Sequence, residues 1–466
     1  MLQFFVFLIL AIVVLVLTIV RFKVHPVLAL FVVGILTGVA YGYGFVQSAN
    51  TFVGGFGSTL GGIGCTIIFG SVIAMGIQDS GCVKSLTNFF VKIFKGKNME
   101  HSTGLAAFVM SIPIFGDVTT VLCAPIAAII AKRKKVTMAA MRTWTCLGAT
   151  LTHCLVPPTP GILAMSILLG ADVGLVIFWG TIVSIFAYFI TWFIFRKWVN
   201  KEWIDPKPEY VIGIEAAEGD DYHDLLIKEE GLPNVFAAAL PILLPVVLIA
   251  ATSFTNLYLP EGNLARNFFA AVGERNIAMF IGVLAAVFLA LSLKDKVIAA
   301  PTNVGANGLG DIILNRWTNR ACMIALLPLL ITAMGGGFSA IIKAYPNITS
   351  LGDMVAQYDF PKFLVPFIIA AVMMIAVGSR TTAGMTAAAI VQPMAAGFGF
   401  SPVYLTLLVG AGTFIGSHVS DSGFWVANEL FGQTTQHGFK YTTFIQSVTG
   451  IIVLIILLII HAVGLI

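Results

Sequence analysis

Charge is scarce in this chain. Only 10% of its 466 residues are Asp, Glu, Lys or Arg, against roughly 25% in a soluble globular domain, and so low a share excludes an ordinary water-facing surface. The formal net charge of +4 comes from basic clusters at the ends of apolar runs and does not point to nucleic acid. Cysteine is sparse as well. Cys65, Cys82, Cys123, Cys146, Cys154 and Cys322 are scattered, with no CxxC pair and no Cys/His ligand set, so neither a metal site nor a disulfide framework is expected. No HExxH spacing occurs, and no Lys-Ser/Thr closes a glycine-rich loop, which removes the zinc-protease and Walker signatures. The roughly ten-residue alternation of a membrane barrel is also missing. The first apolar run, residues 4–20, has no basic region before it and no small-residue cleavage site after it. It reads as a retained helix rather than a signal peptide.

Long apolar runs take the place of charge. The chain is 58% hydrophobic with mean hydropathy +0.96, and segments of roughly 17–25 apolar residues recur along it, the signal of spanning helices. The expected fold class is an all-α polytopic membrane protein. Residues 200–233 form the one clearly polar stretch and hold ten of the 22 acidic residues. They read as a cytoplasmic acidic linker between a first half, 1–199, and a second half, 234–466. Basic residues follow the runs at Arg21 and Lys23, at Lys84 to Lys97, at 132–135 and at Arg196 to Lys201, with an uncharged loop expected over 46–58. Placing these clusters in the cytoplasm puts both termini on the outer side.

The segment 101–131 then begins and ends on the same side. It is too short for two full spans and carries Pro113, Gly116 and Asp117 at its middle. A re-entrant hairpin over 102–131 satisfies the geometry, since irregular backbone at membrane depth survives only inside protein or beside a wet cavity. The second half repeats the plan. AMG at 74–76 recurs at 333–335, GDVTT at 116–120 recurs as GSRTT at 378–382, and His153 corresponds to His418, at offsets of 259, 262 and 265. Each half is expected to hold five spans and one hairpin, the second hairpin covering 363–393. Five being odd, the halves are inverted copies, an architecture of secondary transporters.

Four polar breaks then meet: the two hairpin tips, HCLVPPTPG at 153–161 and SHVSDSG at 417–423. Thr119, Thr120, Ser379, Arg380, Thr381, Thr382, His153, Ser417 and His418 are the expected substrate-binding residues, and Asp117 and Asp421 the expected proton carriers. Half-helix N-termini attract anions, hydroxyls supply donors and acceptors, and ionisable groups inside spans are functional candidates because they are expensive to insert. Plainer readings stand beside these. Asp117 can cap the returning helix, Asp421 can close a turn, the histidines can join helices, and Arg380 can pair with Asp117 or Asp421. The glycines of GFGSTLGGIG, 55–64, read as close helix packing, and VKSLTNFFVKIFK, 83–95, as an interfacial amphipathic helix.

At GFGSTLGGIG, IPIFGDVTTVL, LTHCLVPPTPG, GSRTTAGMTAAAIVQP and SHVSDSGFW the chain resembles the gluconate permease family of bacterial secondary transporters, within the wider ion transporter superfamily. The resemblance runs through residues 55–425. It implies a proton-coupled symporter for sugar acids or, in one branch, D-serine, working as an elevator with a dimerising scaffold in the inner membrane. It places the family's hairpin aspartate on Asp117, its histidines on His153 and His418, and its second aspartate on Asp421. Arg380 stands where the family usually has a small neutral residue. Phe115 and Gly116 stand where it commonly has two aromatics, and Thr159 to Ile162 depart from its double-proline motif. The expected function is import of a small organic anion by proton symport, with no cofactor beyond the coupling ion. Sodium coupling is the alternative, ahead of an intramembrane enzyme or a channel.

Overall fold

The computed structural model describes residues 7–466 apart from 8, 9, 12, 16, 19, 20, 23, 114–115, 212–225, 228–230, 345–360 and 419–420; of Asp117, Val118 and Ser422, among others, it describes the backbone alone. The described residues are helical, with no strand. The first half holds α1 (Pro26–Ala40), α2 (Phe45–Asp79), α3 (Cys82–Phe94), α4 (Glu100–Met110), α5 (Gly116–Lys134), α6 (Met138–Leu155), α7 (Pro160–Leu169) and α8 (Val173–Val199). The second holds α9 (Val235–Tyr258), α10 (Leu264–Val272), α11 (Arg275–Ser292), α12 (Trp317–Lys343), α13 (Leu364–Val377), α14 (Arg380–Val391), α15 (Pro402–Gly412), α16 (Ser422–Leu430) and α17 (Ile445–Ala462), with short turns between. Five helices among the described residues are long and apolar enough to cross a membrane, or six if the bent α2 is one span. The expected first span, 4–20, falls largely outside the described residues.

Residues 46–58, expected as a loop, are helical instead, inside α2. Packing explains the difference. A Cβ on Gly55 would stand 2.5 Å from Ala340 Cβ and 2.7 Å from Gly336 O, so glycine lets α2 lie almost backbone to backbone on α12. The expected close packing of 55–64 holds at Gly55 only. Gly57, Gly61, Gly62 and Gly64 have nothing within 4 Å, and α2 bends by 43° between Gly62 and Gly64. At the far end of α2 stands Asp79. It is fully enclosed, and its carboxylate accepts from Thr302, Asn303, Trp317 Nε1 and Arg320.

The two expected hairpins fall on helix pairs. Residues 102–131 lie on α4 and α5, separated by the turn at Ser111 to Pro113 and by 114–115, which lie outside the described residues. Residues 363–393 cover α13 and α14, joined by Gly378 in the left-handed region at φ 74° and by Ser379, whose Oγ accepts from Thr382 N. The first arm is clamped to α6, a helix buried along nearly its whole length. Thr103 and Thr145 share a hydroxyl bond of 2.7 Å, Thr152 Oγ1 donates to Phe108 O, and a Cβ on Gly148 would stand 2.1 Å from Gly104 O. Small and hydroxylated residues set this spacing, since lipid provides no hydrophobic drive between helices.

The amphipathic segment expected over 83–95 forms α3, burying Val83, Leu86 and Val91 along one face. Ser85 Oγ donates to Pro233 O, and Asn88 exchanges two hydrogen bonds with the backbone of Ile227. The linker is therefore tied to the bundle. Its start, 200–211, is strapped across the ends of α6 and α17. Thr137 bonds Glu202 O and Ile204 N, and the Glu202 carboxylate meets Lys440 Nζ at 2.5 Å, Tyr441 Oη at 2.6 Å and His437 Nε2 at 2.9 Å. The Lys440 bond, then the Tyr441 bond, holds the Glu202 carboxyl down at about 2. A depressed carboxyl contributes stability above its unfolded value and loses it as pH falls through the folded one. The strap is thus expected to persist down to about pH 4.5 and to release between there and about 2, read as faster hydrogen exchange over 200–210. At neutral pH, Glu202→Gln is expected to expose the bond after Lys201 to trypsin several-fold faster than in the native chain.

Candidate functional site

All four polar breaks open on one cavity of about 140 Å³. Gly116 and Thr120 come from the first hairpin, His153 from the end of α6, Ser379, Arg380 and Thr381 from the second hairpin, and Asp421 and Gly423 from the start of α16. Each arrives at a point where a helix ends for a local reason. At α6 the chain runs into Pro157 and Pro158, joined by a cis bond, and Thr159 Oγ1 donates to the freed carbonyls of His153 and Val156. At α14 the turn is Gly378 with its Ser379 cap. At α16 Asp421 caps the helix, Oδ1 accepting from Gly423 N at 2.9 Å.

The centre of the site is an ion pair. Arg380 Nη1 lies 2.8 Å from Asp421 Oδ2, with the side chains 11% and 4% exposed. Ser417 Oγ donates to the same Asp421 oxygen at 2.5 Å and accepts from Arg380 Nη2 at 3.0 Å. Nη2 also donates to Gln446 Oε1 at 2.5 Å, and Gln446 Nε2 donates to Thr150 Oγ1 at 3.2 Å, so the network runs from α14 through α17 to α6. Thr443 donates to the Ser417 carbonyl. On the other wall, Thr381 Oγ1 lies 3.4 Å from His153 Nε2. A Cβ on Gly116 would stand 3.9 Å from the His153 side chain, and one on Gly161 would stand 3.2 Å from Thr381 Cα. The two hairpin tips therefore meet through His153.

Not every expected residue faces the cavity. Thr382 is buried behind the tip, bonded to Ser379 Oγ, and Ser417 sits within the ion-pair network rather than on the wall. Thr119 is fully buried, with its hydroxyl unbonded. His418 is half-buried outside the lining, its carbonyl accepting from Asp421 N. The Asp117 side chain lies outside the described residues; its backbone is in the first turn of α5. Conversely, Cys146, Thr150, Thr442 and Gln446 line the cavity without having been singled out in the sequence. Cys146, Thr150 and His153 are spaced four and three apart on one helical face, a polar stripe the sequence does display. Gln446 is the lone amide in the last apolar run, and that was its signal.

Three helix N-termini reach the cavity, at Gly116 of α5, Arg380 of α14 and Gly423 of α16. Their partial positive charge favours an anion. At about 140 Å³ the space suits a small solute rather than a drug-sized one, which needs about 300–1,000 Å³.

A multi-pass helical fold built around interrupted helices and a small polar cavity is that of a membrane transporter. The YdaH transporter of Alcanivorax borkumensis shares the fold with a TM-score of 0.54 at 14% identity, covering 89% of this chain and 88% of that one. The Neisseria gonorrhoeae efflux pump MtrF does so at 0.53 and 14%, covering 88% and 84%. The model described as GntP family permease matches residues 3–463, and the chain belongs to that family. It is 28% identical to a gluconate permease of Pseudomonas aeruginosa over 96% of this chain and 95% of that one. It is 29% identical to the D-serine transporter DsdX of Escherichia coli over 95% and 96%, and 26% identical to the Gnt-II system L-idonate transporter of the same organism over 95% of each. It is a permease rather than an enzyme, and a multi-pass membrane protein.

Proposed function

We propose that this permease imports a small organic monocarboxylate by proton symport across the bacterial inner membrane. The buried Arg380–Asp421 pair carries the reading. With the pair intact, the described lining residues hold one cation and one anion. A substrate carboxylate entering beside it would leave a net negative charge in a low-dielectric site. A proton on Asp421 removes that excess and frees the Arg380 fork for a bidentate bond to the carboxylate. Anion and proton then enter together, one for one. The three helix N-termini add to the pull on the anion, and Thr120, Ser379, Thr381, Thr150 and Gln446 supply partners for its hydroxyl or amino groups. The named relatives supply the substrate class: gluconate, L-idonate and D-serine each bear one carboxylate. Two inverted repeats moving as an elevator, outward-facing termini and a homodimeric scaffold complete the proposal, and the matching pairs α4–α5 and α13–α14 support it.

The test is counterflow in proteoliposomes with a panel of sugar acids, hydroxy acids and D-amino acids, repeated under imposed pH and sodium gradients. Acid outside is expected to drive saturable accumulation of at least one monocarboxylate, and Asp421→Asn to keep exchange while losing accumulation. Asp117→Asn is expected to lose accumulation as well if both carboxylates share the proton; full uphill uptake by that variant assigns the proton to Asp421 alone. Accumulation driven by sodium and indifferent to pH would overturn the proton reading.

A further inference from the structure

Helix α6 carries a second buried guanidinium. Arg142 stands one turn before Cys146, which lines the cavity and lies beside the Arg142 head group. Arg142 is 0% exposed. Its Nη1 donates to Gln433 Oε1 at 2.6 Å and its head group also hydrogen-bonds the Cys146 thiol, while Nε and Nη2 make no bond to an oxygen or nitrogen acceptor among the described residues. Among the described residues no carboxylate is ion-paired with it, whereas Arg320 has Asp79 and Arg380 has Asp421. Arginine does not shed its proton in proteins, and a charge enclosed without a counter-charge is strongly unfavourable.

Two neighbours show the same deficit. Asn428 is buried with both side-chain amide atoms unbonded, and Thr442 with its hydroxyl unbonded. They belong to the same corner. Gln433, which holds Arg142, donates its backbone N–H to Asn428 O, and Asn428 Oδ1 would stand 2.8 Å from a Cβ on Gly438, one turn before Thr442. Thr442, like Cys146, reaches the cavity wall. Beyond this corner, towards the end of the bundle, lies the linker strap, where Lys207 pairs with Glu429.

We propose that Arg142, with Asn428 and Thr442, forms a second anion station, separate from the Arg380–Asp421 pair, for a carboxylate or a small inorganic anion. Nε and Nη2 present the guanidinium fork that matches a carboxylate, and Asn428 and Thr442 add neutral donors. The station itself follows from the missing counter-charge. Its place on the path between cavity and linker rests on the permease reading above.

The test uses the purified full-length chain in detergent, with HEPES as the starting anion and chloride or acetate added. Each is expected to raise the melting temperature saturably, on the order of 2 °C at tenfold the dissociation constant. Arg142→Gln is expected to abolish the rise, and the paired change Arg380→Gln with Asp421→Asn to keep it. Should Arg142→Gln fail to fold, Asn428→Ala is expected to weaken the apparent anion affinity about fivefold. A native chain indifferent to both anions would overturn the station. So would a rise that the paired change abolishes and Arg142→Gln keeps; that result would put the anion at Arg380 and leave the proposed function standing. Gluconate uptake in liposomes separates the sources. Competition by chloride marks a stop for the transported carboxylate, and saturable stimulation by chloride marks a resident inorganic anion.

Discussion

Arg380→Gln is expected to destabilise the folded permease by about 3–5 kcal/mol, because it strands a buried carboxylate whose cationic partner is gone. Asp421 is 4% exposed on its side chain, so its counter-charge is the guanidinium rather than bulk solvent. Ser417 Oγ and Gly423 N would remain as its donors, and two neutral donors do not neutralise a charge. Adding Asp421→Asn to Arg380→Gln is expected to return most of that stability, since a glutamine facing an asparagine can hydrogen-bond without net charge. The melting temperature in detergent measures both changes. Uptake is expected to stay lost in the double variant, which separates the structural contribution of the pair from its part in transport. If Arg380→Gln were as stable as the native chain, the pair would not be what balances charge in the site, and the one-for-one charge argument would fail.

The second large effect is expected from a methyl group. In Gly148→Ala the new Cβ would stand 2.1 Å from Gly104 O and 3.0 Å from Gly104 C. Both are backbone atoms, so no side-chain rotation relieves the clash, and α4 and α6 must separate. Overpacking of this kind costs about 1–3 kcal/mol. The displacement also reaches the site, because α6 carries Thr150 and His153 while α4 leads into the Gly116 tip. Uptake is therefore expected to fall further than the melting temperature alone would suggest. Gly61→Ala, where nothing lies within 4 Å, is the matched control and is expected to leave both readouts unchanged. Equal behaviour of the two variants would show that the α4–α6 contact does not set the site.

The local interruptions were legible in the sequence because they are loud. Proline, glycine and a carboxylate inside apolar runs mark Asp117, the Pro157–Pro158 break, Gly378 and Asp421, and these are the places where the helices end. What depends on distant partners was not legible. Asp79 has no evident partner until Arg320, 241 residues later, is brought beside it. Glu100 is likewise buried and accepts from Trp192 Nε1. Residues 46–58 look like an uncharged loop because glycine depresses both hydropathy and helix propensity. Only contact with α12 turns them into helix. Arg142 attracted no notice, sitting as it does just beyond the basic run 132–135, where another arginine passes for topology. The polar linker composition hid a strap, because charge density says nothing of which charges find partners.

Asp79 also limits how the molecule can work as a machine. Its two oxygens take Thr302 Oγ1, Asn303 Nδ2, Trp317 Nε1 and both Nη atoms of Arg320. Slipping α2 along α12 by one residue, about 1.5 Å, would stretch the bonds from Asp79 to Trp317 and Arg320, which α12 carries. The two helices thus behave as a single beam, and travel during a transport cycle has to be absorbed elsewhere. The nearest joint is Gly81, two residues beyond Asp79, whose backbone sits at φ 72°, a conformation in which a side chain would be strained.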